Sequence, residues 1–78
     1  IKFMIIEIYG KDACPFCDSA KRKAETLCSE GESSYTYKKL DVDFSREELK
    51  SQFPFARTFP QIIVDGVSIG GWEQFKQI

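Results

Sequence analysis

The 78-residue sequence contains no histidine, one methionine, one tryptophan and only three cysteines. Without histidine, and with at most three sulfur ligands, the chain falls short of the four nitrogen or sulfur donors of a structural zinc site. An odd cysteine count at unequal spacing is a poor disulfide framework for a small secreted domain, so cysteine usage points to a reducing compartment. Charge of one sign is also missing. Eleven basic and twelve acidic residues are mixed along the chain and give a net charge of -1, so no basic stripe is offered to nucleic acid. No apolar run approaches the roughly 20 residues that span a bilayer, and no charged, apolar and small-residue series forms a signal peptide. The expectation is therefore a cytoplasmic protein without a membrane or nucleic-acid partner. Repeats, linkers and low-complexity tracts are absent, and the length fits one domain over residues 1–78. Ile1-Lys2-Phe3 precedes Met4, and a strand starting at Met4 reads equally well.

What is present is apolar residues at 42% and aromatic residues at 14%, enough for a compact core. Phe3 to Tyr9 is β-branched, aromatic and almost continuously apolar, which predicts a central strand buried on both faces. Pro15 suits a first helical position, and Ala20, Ala24, Leu27 and Cys28 recur at helical spacing until Gly31 offers a stop. Tyr35 to Val42 reads as a second strand, parallel to the first across a helical crossover. Ser45 and Glu48 form a capping box for a second helix, with Phe44 against Leu49 as its hydrophobic staple and Phe53-Pro54 as its end. Asp65-Gly66 between Gln61–Val64 and Val67–Ile69 is a two-residue hairpin signal. Gly70-Gly71 leads into a last short helix bearing Trp72, Phe75 and Ile78. The order β-α-β-α-β-β-α implies an α/β domain with a mixed four-stranded sheet flanked by helices, the arrangement of the thioredoxin fold.

The chemistry is concentrated in Cys14-Pro15-Phe16-Cys17. Cysteines three apart at a helix start share one face, so a reversible disulfide is feasible. With Pro15 at the first helical position, Cys14 is the N-cap, where unpaired N–H groups and the positive end of the helix dipole stabilise a thiolate. Cys14 is thus the expected nucleophile, and the more sheltered Cys17 the group that resolves a mixed disulfide. A zinc half-site or two incidental thiols are the competing readings. Cys28, on the apolar side of the first helix, reads as a small buried hydrophobe, with a regulatory thiol as the sharper alternative.

Four segments resemble glutaredoxins: Lys11 ahead of Cys14, the Cys14-Pro15-Phe16-Cys17 motif, Thr58-Phe59-Pro60, and Gly70-Gly71 followed by Trp72-Glu73. The chain's shortness and its Ile69-to-Phe75 ending are most similar to the compact glutaredoxins of bacteriophages. The resemblance implies a cis bond before Pro60 that sets the Phe59 backbone beside the dithiol to pair with an extended peptide; an ordinary loop proline is the alternative. It also implies glutathione as co-substrate, with no bound cofactor and no metal. Its γ-glutamyl end would sit at Gly70, Gly71 and the N–H groups of Trp72 and Glu73, and its glycyl carboxylate near Lys11, with Arg57 as a further carboxylate partner. Phe16 would shield the pair. Paired glycines at a strand-to-helix turn and a solvated Lys11 are the plainer readings, and Trp72 fits either ligand binding or helix packing. The implied activity is reduction of protein disulfides and glutathione mixed disulfides by a monomer, with ribonucleotide reductase among the substrates. Two alternatives stand beside it: a ribonucleotide reductase donor recharged by thioredoxin reductase, and a module holding a [2Fe-2S] cluster between two subunits.

Overall fold

The computed structural model describes residues 4–29, 33–54, 56 and 58–78. Within them the elements run β1 (Ile5–Gly10), α1 (Pro15–Cys28), β2 (Ser34–Lys39), α2 (Arg46–Gln52), β3 (Gln61–Val64), β4 (Val67–Gly70) and α3 (Trp72–Phe75). The sheet order is β2-β1-β3-β4, with β1 parallel to β2 and antiparallel to β3, and β3 antiparallel to β4. This is the expected element order, with β1 internal to the sheet.

One sheet face is covered by α1 and α3, the other by α2. Ile6 and Ile8 from β1 and Ile62 from β3 meet Ala20 and Ala24 of α1 and Phe75 of α3, all at 0% exposure. Burying each isoleucine in this layer contributes about 1.5–3 kcal/mol. On the opposite face Tyr9 lies edge-on to Phe44 and Phe53 at centroid distances of 5.1 and 5.2 Å, with Leu49 completing the cluster.

The expectation that β1 is buried on both faces holds only in part: Ile5 is 49% exposed and Glu7 half-buried. The seven-residue α2 covers the Tyr9 end of the strand and no more. The Lys38 ammonium takes over beside it, 3.3 Å from the Tyr9 hydroxyl and 3.5 Å from Glu7.

The second strand also stops earlier than its apolar pattern predicts. The Asp43 carboxylate accepts the Lys39 N–H at 2.9 Å, and the Lys39 carbonyl accepts the N–H groups of Val42 and Asp43. The ladder to β1 itself runs one residue further, to the Leu40 N–H on the carbonyl of Gly10 where β1 ends, while Asp43 caps the outer edge of β2. The chain turns through Asp41 at φ +65°, and Val42, placed in the strand by its side chain, is 71% exposed.

Local signals elsewhere are borne out. Ser45 accepts the Glu48 N–H and Glu48 accepts the Ser45 N–H, which closes the capping box. Asp65 and Gly66 have φ of +53° and +81°, as a tight hairpin requires. Helix α1 ends at Cys28, where the Ser29 N–H reaches the Thr26 carbonyl; Gly31, Phe3 and Arg57 lie outside the described residues.

One irregularity positions the site. Between β3 and β4 the register steps from Ile62 opposite Gly70 to Ile63 opposite Ser68, leaving Ile69 as an extra residue. Such a bulge turns the strand. Here it delivers Gly70-Gly71 to the start of β3, beside Pro60.

Candidate active site

At the end of β1 the chain leaves the sheet through Lys11 to Ala13, the last at φ +54°, and enters α1 with Cys14 in an extended conformation as N-cap. Pro15 follows at the first helical position, where a missing N–H costs nothing. The Cys14 sulfur accepts the Cys17 N–H at 3.2 Å, so it occupies the capping position in which serine or aspartate oxygen is usual. Cys14 and Cys17 are joined as a disulfide with a Cα–Cα distance of 5.2 Å. On reduction the Cys14 sulfur sits at the positive end of α1 with a backbone donor already aimed at it, and both features favour the thiolate.

The two sulfurs differ in access. Cys17 is completely buried under the helix, whereas Cys14 borders a cavity of about 410 Å³ together with Lys11, Arg46, Thr58 and Phe59. An incoming disulfide can therefore reach Cys14 and not Cys17. Cys28, half-buried against the α1 layer, has its thiol pushed above its ordinary value by desolvation, which disfavours its thiolate.

The Phe59–Pro60 peptide bond is cis. Phe59 and Thr58 line both the Cys14 cavity and a second one of about 320 Å³, whose other walls are Phe16, Gly71, Trp72, Glu73 and Gln74. The Thr58-Phe59 segment is thus the divide between two halves of one groove. Lys11 places its ammonium 5.4 Å from the Phe59 ring centre, a cation–π distance, at one end. At the other end α3 presents its first N–H groups, which have no acceptor within the helix.

Most of the residues singled out from sequence converge here. Lys11, Cys14, Thr58 and Phe59 line one half; Phe16, Gly71, Trp72 and Glu73 line the other. Phe16 is 56% exposed beside the disulfide. Trp72 lines the groove and also packs edge-on against Phe75 at 6.5 Å. The Glu73 carboxylate lies 3.1 Å from the Lys76 ammonium. Pro60 is buried and shapes the groove through its carbonyl: a Cβ at Gly71 would stand 3.0 Å from that oxygen. Gly70 does not line the groove. It borders a larger cavity, about 510 Å³, whose walls among the described residues carry no charged side chain and no thiol. Its contribution is a backbone at φ +107° that lets the chain turn into α3.

Two residues went unnoticed in the sequence. Gln74 accepts the Gly71 N–H at 2.8 Å and lines the groove; its spacing three residues after Gly71 is the glutamine half of a capping box and was the available signal. Arg46 reaches the Cys14 cavity because α2 packs over Tyr9, and no local pattern announces that.

Residues 6–69 match the sequence profile of the family described as Glutaredoxin. The chain is 34% identical over 79 residues to a glutaredoxin of Haemophilus influenzae, covering 96% of this chain and 90% of that protein. With glutaredoxin 1 of Escherichia coli it shares 37% identity over 73 residues, covering 87% and 84%. The NMR structure of reduced Escherichia coli glutaredoxin superposes with a TM-score of 0.81 at 33% identity, covering 94% of this chain and 89% of that one. Glutaredoxin 1 of Francisella tularensis gives 0.74 at 25% identity, covering 95% and 90%. With a thioredoxin fold, a capped Cys14-Cys17 pair at its helix start and this kinship over nearly its whole length, the chain belongs to the glutaredoxin family of thiol-disulfide oxidoreductases.

Proposed function

We propose that this chain reduces protein disulfides and glutathione mixed disulfides with electrons from glutathione, acting as a monomer in the cytosol. The observation that carries the reading is the position of Cys14: the only sulfur of the pair open to the groove, capped by the Cys17 N–H and flanked by Lys11 and Phe59. Glutathione is a tripeptide with a carboxylate at each end. A cation at one end of the groove and the start of α3 at the other suit that charge pattern.

The cycle needs only sulfur exchange. The Cys14 thiolate attacks one sulfur of a substrate disulfide, forms a mixed disulfide and releases the other sulfur as a thiolate that takes a proton from water. Cys17 then loses its proton and attacks the Cys14 sulfur, which frees the second substrate thiol and leaves the Cys14-Cys17 disulfide. Two glutathione molecules restore the dithiol in two such exchanges and depart as oxidised glutathione, so two electrons pass per substrate disulfide. A glutathione mixed disulfide needs only the first exchange and a second glutathione. Ribonucleotide reductase, whose turnover leaves a protein disulfide, is a substrate of the right class.

The test compares Cys14→Ser with Cys17→Ser on a glutathionylated protein, with glutathione as sole reductant. Cys14→Ser is inactive; Cys17→Ser keeps much of its rate, because glutathione resolves the intermediate. Equal losses break the assignment of roles. Activity restored by a flavoprotein thioredoxin reductase and not by glutathione would replace the electron source.

A further inference from the structure

The Cys14 cavity does not end at Arg46. A smaller cavity of about 150 Å³ adjoins it through Arg46, Thr58 and Phe59 and extends along α2 to Lys50, over a floor of Leu49 and Ala56. Arg46 and Lys50 are four residues apart on α2, hence on one face and about 6 Å apart along the axis.

Of the charged residues on α2, Arg46 and Lys50 line these cavities, whereas Glu47 and Glu48 line neither. Glu48 turns the other way, bonds the Ser45 N–H and lines a separate cavity with Asp41 and Asp43. Of the acids near the dithiol, Asp12 is engaged by Lys39 at 2.8 Å. Among the described residues no acidic side chain lines the path from Cys14 to Lys50, and neither Arg46, Lys50 nor Lys11 enters an ion pair. Cations with no internal partner, beside an apolar floor, complement an acidic side chain with an apolar neighbour.

We propose that the Arg46-Lys50 edge of α2 is a specificity subsite for protein substrates, taking an acidic side chain carried within two residues of the substrate cysteine on its C-terminal side. The inference rests on the glutathione reading for direction: the γ-glutamyl residue precedes the cysteine and lies toward α3, so a chain following the cysteine runs toward Lys11 and α2. Glutathione ends one residue past its cysteine. A protein continues, and the Leu49-Ala56 floor with Lys50 above it is the surface in its path.

The experiment uses disulfide-linked dimers of two acetylated, amidated tetrapeptides, Ala-Cys-Glu-Leu and Ala-Cys-Lys-Leu, alongside cysteine-glutathione mixed disulfide. For the wild type, kcat/KM favours the acidic peptide by roughly tenfold at low salt, and the preference shrinks toward unity at about 0.5 M salt. Lys50→Glu lowers that ratio several-fold and leaves the rate on the cysteine-glutathione disulfide within about twofold, because the small substrate ends short of this edge. Arg46→Glu with Lys50→Glu inverts the preference. Both side chains are exposed, and Lys50→Gln, which removes charge without reversing it, gives an intermediate ratio if folding is a concern. Equal use of the two peptides by the wild type, or a ratio unmoved by both reversals, overturns the subsite. Failure of the wild type on the cysteine-glutathione disulfide alone, with the peptide preference intact, would instead count against the glutathione reading.

Discussion

Gly70 is where the strand-to-helix turn is most exposed to a single substitution, and the structure separates two costs of replacing it. Its φ of +107° is unfavourable for any residue with a Cβ, and a Cβ built there lies 2.8 Å from the Gln74 Oε1 and 2.9 Å from its Cδ. That amide oxygen is the acceptor for the Gly71 N–H. Gly70→Ala therefore pays for the backbone, about 1–2 kcal/mol, and displaces the Gln74 cap, about 1 kcal/mol more. The sum is about 2–3 kcal/mol. Gly66 supplies the control, since it also has positive φ, +81°, but nothing lies within 4 Å of its Cβ position; Gly66→Ala carries the backbone cost alone, about 1 kcal/mol. Urea unfolding of the oxidised protein measures both, and with a slope near 1 kcal/mol/M the midpoint falls by about 2–3 M for Gly70→Ala and about 1 M for Gly66→Ala. In a Gln74→Ala background the cap is already gone, so Gly70→Ala costs only its backbone share and the cycle shows a coupling of about 1 kcal/mol. A coupling of zero, or equal losses at Gly70 and Gly66, refutes the assignment of Gln74 as the cap that Gly70 makes room for.

Two further outcomes follow from capping and burial. Ser45→Ala removes one half of the α2 capping box and loosens the other, at about 1 kcal/mol, which lowers Tm by about 4–8 °C in a domain of this size; Ser45→Asp restores most of it, and a melting curve unchanged in Ser45→Ala contradicts the cap's role. Stability falls as pH rises above about 9, because Cys28, Tyr35 and Tyr37 are all held above their ordinary values of 9.0, 10.0 and 10.0, first by desolvation and for the tyrosines also by Glu25 and Asp18 respectively. These groups keep their protons in the folded chain longer than in the unfolded one, so their contribution is whole below the unfolded values and is lost as pH climbs through the folded ones. Cys28→Ala with Tyr35→Phe flattens the alkaline limb of a midpoint-against-pH plot, and an unflattened limb assigns the effect to other groups.

Features encoded within a few neighbouring residues were legible directly. Ser45 with Glu48 announces a helix start because both hydrogen bonds close inside four residues. Asp65-Gly66 announces its hairpin because positive φ is a local property. Cys14-Pro15-Phe16-Cys17 placed a sulfur at the N-cap for the same reason, and the bond from the Cys17 N–H is there. Val42 shows where that kind of reading stops. Its β-branched side chain suits a strand, but β1 ends at Gly10, whose carbonyl takes the last ladder bond from Leu40, and the chain turns at Asp41 before Val42 is reached. Ile5 likewise carries a strand's side chain on a strand whose second face is only partly covered.

What the sequence by itself determined is the Cys14-Cys17 pair, the helix that carries Cys14 at its N-cap and the order of elements, since each depends on backbone and side chains adjacent in the chain. The tertiary structure decided which segments share the groove. Thr58-Phe59 lies beside Cys14 because β3 pairs with β1 in a register that ends near Tyr9. The Ile69 bulge turns β4 so that Gly71 meets the Pro60 carbonyl. Arg46 enters the Cys14 cavity because Leu49, one turn away on α2, joins the cluster around Tyr9. Each of these is a contact between residues far apart in sequence, made by packing one layer on another, and no spacing within the chain records it.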